Sequence, residues 1–527
     1  MVSARPSRPF RGFAPAAFAV ALACLVTGAP SLGGGFLNWD DDRMVTGNLD
    51  VAALTPANVA RAFAGLRFES YQPLHLVSYM VDGSLWPGRA PLYRAHNLVL
   101  YMVSAVLLLF LLVRLGTPLA PATLGSLLFA VAPYHVESVA WIAARKDVLA
   151  LTLTLAAWHV HLSADGARSK RVGLSVLGAL LYLAALLSKS ASLVAPFMML
   201  ASDVGLRRVT WRRAVLGVVP YAALALAAAV SLPFLWSASS LVREPPVPGL
   251  LGRAGLVAWT FAHYLAAATS PFSLTPLYAF PDPRALAFGS ALGLAAAAMV
   301  TALLIQAARR SGGAGPWAVA AIWFMLGLAP FLNVVPLYYL VADRYLLFPS
   351  LGVALAGALA ARRILALARP DRRALAIAGF LAVVVAWGVA AASESRAWRD
   401  SLSLWEHAVA REPGAFFARV KLGETLRKSG SCADAAREYL AATRIDPGSR
   451  LALTGLYWSE LLEDGRGAGL PADRTERMAL EFAAALDDMP RLAVLAYRLE
   501  RQGLHRAAGV VRERLAVSAG KPAGQAP

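Results

Sequence analysis

Charge is scarce in this chain. Only 16% of its residues are Asp, Glu, Lys or Arg, against 58% hydrophobic ones. A soluble domain carries about 25% charged residues, so that class is excluded. Acids are scarcer still, with 32 Asp and Glu against 50 Lys and Arg and a formal net charge of +18. Such an excess can serve nucleic acid, but here the basic residues stand in short clusters between apolar blocks, where membrane topology places them. No nucleic-acid partner is expected. Cysteine is reduced to Cys24 in an apolar block and Cys432 in the polar tail, which argues against a disulfide and against a metal site. Ala21-Leu22-Ala23 before Cys24 fits a lipoprotein cleavage signal poorly. Also missing are a phosphate-binding glycine loop, a nucleophile elbow and zinc-ligand spacing, which excludes ATP-driven transport and the common hydrolases. No duplicated halves with broken helices point to a transporter or lipid flippase.

What the chain has in quantity is apolar blocks of roughly 16 to 22 residues, the length a bilayer requires. The expected fold is all-α: a polytopic membrane helical bundle of about eleven spans, followed by a short helical solenoid. Arg5, Arg8 and Arg11 precede the first block, about 13–30, which reads as an uncleaved first helix with a cytoplasmic N-terminus; a signal peptide is the alternative. Further spans are expected near 94–114, 119–134, 146–163, 172–188, 190–204, 214–236, 287–308, 315–334, 345–361 and 374–392. Arg114, Arg168-Lys170-Arg171, Arg207-Arg208-Arg212-Arg213, Arg309-Arg310 and Arg362-Arg363-Arg369-Arg372-Arg373 then all fall inside, provided the segment 250–270 is a re-entrant or surface helix. If it crosses, the tail flips to the cytoplasm.

The outer loop 36–93 opens with Phe36-Leu37-Asn38-Trp39-Asp40-Asp41-Asp42-Arg43. Neighbouring acids repel, and in a partly dehydrated site one of them can act as a general base or attract a cation. A solvated acidic loop is the plain structural alternative. Thr55 can cap a short amphipathic helix that starts at Pro56 and turns Val59, Ala62 and Phe63 to one side.

Three more polar clusters fall on the same predicted face. They are Pro133-Tyr134-His135-Val136-Glu137 with Arg145-Lys146-Asp147, then Ser188-Lys189-Ser190, then Ala342-Asp343-Arg344-Tyr345. Charge at a membrane edge is costly and so a functional candidate. A carboxylate facing cations suits transfer away from an anionic leaving group, the acid preparing an acceptor hydroxyl and Arg or Lys stabilising a departing phosphate. Each has a structural alternative: His135 capping a helix end, Asp147 pairing with Arg145 or Lys146, Lys189 snorkelling to the interface, Arg344 pairing with Asp343.

Residues 394–517 turn soluble, charged and helical, and 518–527 reads as a disordered tail. Glu412-Pro413-Gly414 recurs as Asp446-Pro447-Gly448, 34 residues later, which is the period of a tetratricopeptide repeat. Leu422-Gly423, Leu426, Ala435, Tyr439, Ala442 and Pro447 fit one repeat, and Trp405 and Ala408 the half before it. Such repeats hold extended peptide on a concave surface; stabilising the membrane part is the alternative.

These residues together resemble the TMTC family, transmembrane proteins with tetratricopeptide repeats that act as protein O-mannosyltransferases of the glycosyltransferase C superfamily. The resemblance runs through Trp39-Asp40-Asp41 with Asn48-Leu49-Asp50, Gln72-Pro73-Leu74, His96-Asn97, His135-Val136-Glu137-Ser138-Val139-Ala140-Trp141 with Arg145-Lys146-Asp147, and Asp343-Arg344-Tyr345-Leu346 with Pro349-Ser350. It departs in its short repeat array and in a bacterial-looking composition. The resemblance implies a glycosyltransferase C-like membrane domain over 1–393 that transfers mannose or another hexose to a hydroxyl of a protein or glycan, or of a peptide held by the repeats. The bacterial-looking composition and Arg bias point to a bacterial inner membrane and a polyprenyl-phosphate rather than dolichyl donor, and the distribution of basic residues puts the repeats on the periplasmic side. Asp40 or Asp41 is the expected base, and Arg145, Lys189 and Arg344 the donor-phosphate ligands. Asp42, Arg43, His135, Glu137 and Asp147 are expected at the acceptor or supporting the site. These residues call for no particular cofactor; a divalent metal bridging acid and phosphate is compatible with them, but no ligand set demands it. The alternative is a non-enzymatic membrane scaffold that recruits partners through its repeats.

Overall fold

Long apolar stretches without proline breaks satisfy their backbone only as helices in lipid, and helices are what form. In the computed structural model the described residues are 12–462, apart from 69, 167–170, 238–246, 248, 312–314 and 336, together with 496, 500 and 505–518. Arg5, Arg8, Arg11, Arg168, Lys170 and the tail 519–527 lie outside them. Among the described residues there are helices and no named strand, only one isolated bridge between Arg67 and Ser70.

Among the described residues eight helices are long and apolar enough to cross a membrane: Phe13–Ser31, Ala90–Arg114, Ile142–Ala164, Arg171–Ser188, Trp211–Ser231, Pro283–Ala302, Ser350–Leu367 and Arg373–Ala397. A ninth is made if Leu119–Ala130 and Pro133–Ala140 count as one span bent by 56°. The expectation of about eleven differs because two expected spans, Ser190–Gly205 and Pro316–Phe331, are shorter apolar helices. At about 1.5 Å rise per residue each is too short to bridge roughly 30 Å of hydrocarbon. Gly249–Thr269 is one continuous helix packed along Pro283–Ser311.

The chain divides into two units. The first holds residues 1–276 and 280–400, the second 277–279 and 401–527. In the first, Ala90–Arg114 packs on Phe13–Gly28 and on Arg145–Gly166, which packs on Arg171–Ser188. Leu119–Ala130 lies against Ser350–Leu367, where a Cβ on Gly125 would stand 2.3 Å from the Ala354 carbonyl oxygen. Small residues of this kind let membrane helices approach closely. In the second unit, Ser401–Arg411, Phe416–Lys428, Cys432–Ile445 and Arg450–Leu462 pack in sequence. Their core is Val420, Ala435, Tyr439, Ala442, Ala452 and Leu456.

In the outer loop Thr55 caps Pro56–Phe63 by accepting the Asn58 N–H at 3.1 Å. Its buried side is Asn58 and Ala62, while Phe63 is 39% exposed. The expected grouping of Phe63 with Ala62 therefore holds only in part.

Candidate functional site

The acidic loop is held at both ends. The Arg94 guanidinium donates to four carbonyl oxygens: Ser31 and Gly35 at 3.2 and 2.6 Å, Trp398 and Arg399 at 2.5 and 3.3 Å. It thereby ties the loop to the end of the last span. Gly34 touches the same place; a Cβ there would lie 1.9 Å from the Arg399 oxygen. Beyond this clamp Trp39 stacks on Trp141 and on Trp398, at 4.7 and 5.9 Å between ring centroids, and those two rings lie 6.2 Å from each other. Its indole N–H donates to the Tyr339 hydroxyl at 3.1 Å, and Trp141 Nε1 donates to the Trp39 carbonyl at 2.7 Å.

That anchoring sorts the three aspartates. Asp41 is fully buried; its two oxygens accept the backbone N–H groups of Leu37 and Ala143, each at 2.9 Å. Burial pushes its carboxyl up to about 7, against the pull of those two bonds and of Arg94. Asp42 is exposed and accepts the Arg43 N–H, and Arg43 lies 5.9 Å over the Phe68 ring. Asp40 sits half-buried with a left-handed backbone, φ 64°, and its carboxylate has no hydrogen-bond or ion-pair partner among the described residues. Of the two expected bases, Asp40 is available and Asp41 is bound into the framework.

The cations sort in the same way. Arg145, expected at the donor phosphate, is wholly buried and committed elsewhere. It pairs with Asp82 and donates to Asn97 Oδ1, Ser78 O and Tyr93 O at 2.7, 3.1 and 3.0 Å. His96 bonds the other oxygen of Asp82 at 2.7 Å. Lys189 pairs with Asp147. Arg344 pairs with Glu137, whose second oxygen accepts the Arg344 backbone N–H at 2.9 Å. The Arg344 guanidinium lies 5.0 to 5.4 Å from the rings of Tyr345, Trp141 and Tyr339, and Lys189 lies 5.6 and 5.8 Å from Phe331 and Tyr345. Among the described residues His135 joins no charged group. Its Nδ1 meets the Tyr101 hydroxyl and the Phe129 carbonyl, its Nε2 the Ser350 hydroxyl.

One cation escaped the sequence assignment. Lys146, next to Asp147, is partly buried and makes no hydrogen bond or ion pair among the described residues. The charges acting on it are Lys189, Asp147, Arg344 and Asp40. Nothing in the run Arg145-Lys146-Asp147 says which member is the free one; the helical rotation of about 100° per residue turns Arg145 and Lys146 to different neighbours. His75 was missed as well. Tyr79 gives its proton to the Ile142 carbonyl at 2.6 Å, so its oxygen accepts from His75 Nε2 at 2.7 Å and leaves Nδ1 as a lone pair. Burial first, then Lys146, Arg145 and Lys189, hold this imidazole well below its usual range.

The cluster thus contains two cation–carboxylate pairs, Lys189 with Asp147 and Arg344 with Glu137, plus Lys146 and the Asp40 carboxylate, which have no partner among the described residues. It can receive one anionic group beside a base. It does not offer a protein-held metal site: among the described residues no three His, Cys, Asp or Glu side chains come together in that way.

Over 167 residues the chain is 37% identical to Protein O-mannosyl-transferase TMTC1 of Mus musculus. The match covers 29% of this chain and 17% of that protein, so the chain spans about a sixth of that relative's length. No family model matches, and no solved structure matches.

Proposed function

We propose that the chain is a membrane glycosyltransferase that moves a hexose from a polyprenyl-phosphate donor to an acceptor hydroxyl at the non-cytoplasmic face of a bacterial inner membrane. The observation that carries this reading is Asp40 and Lys146, two charges without a partner among the described residues, beside the matched pairs Lys189–Asp147 and Arg344–Glu137. Lys146 is left to meet the phosphodiester, with the spare donors of Lys189 and Arg344 beside it. Asp40 takes the proton of the acceptor hydroxyl. The acceptor oxygen attacks the anomeric carbon, the bond from that carbon to the phosphate oxygen breaks, and polyprenyl phosphate leaves with the electron pair. A base on one side and cations on the other suit inversion at that carbon. No step runs through a metal. The partial match to an O-mannosyl-transferase supports the reaction class, and mannose is one hexose among those the site admits.

The second unit is read as a short tetratricopeptide-type solenoid. The 34-residue recurrence supports this, as does Tyr439, whose ring fills the space above Gly423 and Gly455. Its role here is to present protein or glycan acceptors. The scaffold reading would make the repeats sufficient and the acids dispensable.

The test is hexose transfer by purified Asp40→Asn protein supplied with polyprenyl-phosphate hexose. Loss of at least about 100-fold is expected, with an unchanged melting temperature. Wild-type transfer by the well-folded variant would sink the assignment. Mass spectrometry of outer-face glycoproteins and glycolipids in a deletion strain then names the sugar and the acceptor.

A further inference from the structure

We infer that a cavity between the acidic loop and the helix Pro73–Leu85 is a hexose subsite for the acceptor. The inference rests on the sugar-transfer reading for the reason a sugar should be there, and on its own geometry for the rest. The cavity measures about 230 Å³. Sites for drug-sized ligands run about 300–1,000 Å³, so this one suits a single ring. Leu76 and Met80 form an apolar floor, Phe68 a side wall, and Asn48, Asp50 and Arg67 a polar wall. Flat carboxylate, amide and guanidinium groups can meet adjacent hydroxyls two at a time, while an aromatic ring covers the C–H face of a pyranose.

The polar wall is fixed before any ligand arrives. Arg61 Nε holds Asp50 Oδ1 at 2.7 Å, and Arg67 stands 3.5 Å from Oδ2. Asn48 is also placed: its side-chain oxygen accepts the Asp50 N–H at 3.1 Å and its amide donates to the Met44 carbonyl at 3.3 Å.

Phe68 is the second observation. Its φ is 50°, in the left-handed region, inside the turn closed by Arg67 and Ser70 through bonds of 3.0 and 3.1 Å. Glycine or asparagine adopts that conformation at little cost, and a bulky ring does not. The turn's own geometry gains nothing from phenylalanine; the ring serves the cavity it lines and the Arg43 guanidinium 5.9 Å over it.

A run of hydrogen bonds joins the cavity wall to the backbone at the proposed base: the Asp40 carbonyl accepts the Met44 N–H at 2.7 Å, and the Met44 carbonyl accepts the Asn48 amide at 3.3 Å. The connecting turn, Asp42–Thr46, is a π-helix, a form that recurs at functional sites.

The experiment is titration of the full-length protein in nanodiscs with methyl α-mannoside, α-glucoside and α-galactoside, read by saturation-transfer NMR, with a Ser/Thr peptide as comparison. Wild type and Asp40→Asn should bind one of the hexosides at millimolar concentration. Phe68→Asn should lose at least about tenfold in affinity while its melting temperature stays or rises, since the turn is relieved; a wall that only packs would lower it. Arg67→Ala carries the same test if Phe68→Asn does not fold. Full transfer activity in Asp40→Asn with hexoside binding still dependent on Phe68 would remove the catalytic assignment and keep the subsite. No saturable hexoside binding, unchanged binding in folded Phe68→Asn or Arg67→Ala, or binding of the peptide alone would remove the subsite whatever Asp40 does.

Discussion

Asp40 carries a backbone strain that its two acidic neighbours do not, and this makes it the cleaner residue to alter. Asparagine tolerates the left-handed region as aspartate does, so Asp40→Asn removes the charge without disturbing the turn. Asp41 differs. In the Asp41→Asn variant one of the two backbone N–H groups would face an NH₂, leaving a buried donor unpaired at about 1–3 kcal/mol. Loss of transfer in Asp41→Asn would therefore report folding as much as chemistry. The same residue gives a pH signature. Its folded value of about 7 stands above the roughly 3.9 of an unfolded aspartate. Between those values the folded state alone keeps the proton. The stability it contributes is complete below about pH 4 and is lost as pH rises to about 7. Melting temperature measured from pH 4 to 8 should fall in wild type and fall less in Asp41→Asn; parallel curves would contradict this.

Lys146 and Arg145 are adjacent and call for opposite outcomes. Lys146 has no partner to strand among the described residues, so Lys146→Ala should change stability by under about 1 kcal/mol and cut transfer by about 10²-fold, as loss of one charge-stabilising donor does. Arg145→Ala removes the guanidinium from the buried Asp82 and leaves it His96 alone, at about 3–5 kcal/mol, and should appear as poor folding. Adding Asp82→Leu should restore part of it. Equal folding of the two single variants, measured by thermal unfolding, would refute the distinction.

At the scale of elements, the broken helices do the positioning. Leu119–Ala130 and Pro133–Ala140 meet at 56° because Pro133 cannot continue the helix. The second piece then delivers Glu137 to Arg344, which begins its own short turn before Ser350–Leu367. A hydropathy window sees one span in each place. The last span matters for a similar reason: Trp398 and Arg399 supply two of the carbonyls that hold Arg94. Truncation after Asp400 should leave the membrane unit folded and able to bind donor, whereas truncation before Trp398 should lower its melting temperature. Equal stability of the two truncations would contradict the role given to that clamp. Loss of donor binding in the longer one would favour the scaffold reading.

At the scale of the molecule, the helical class, the membrane habit and the neighbourhood of the site were legible in the chain itself. Apolar block length is a local property, and lipid leaves such blocks one backbone solution. The motifs around Asp40, Glu137, Asp147, Lys189 and Arg344 were also visible, because charge beside an apolar block stands out. Pairing was not visible. Whether a buried charge is free depends on which helices bring a partner within a few ångströms in a low-dielectric interior, and spacing along one chain does not encode that. Only the tertiary structure could tie Arg145 to Asp82, enclose Asp41 between two amides, and leave Asp40 and Lys146 without a partner among the described residues.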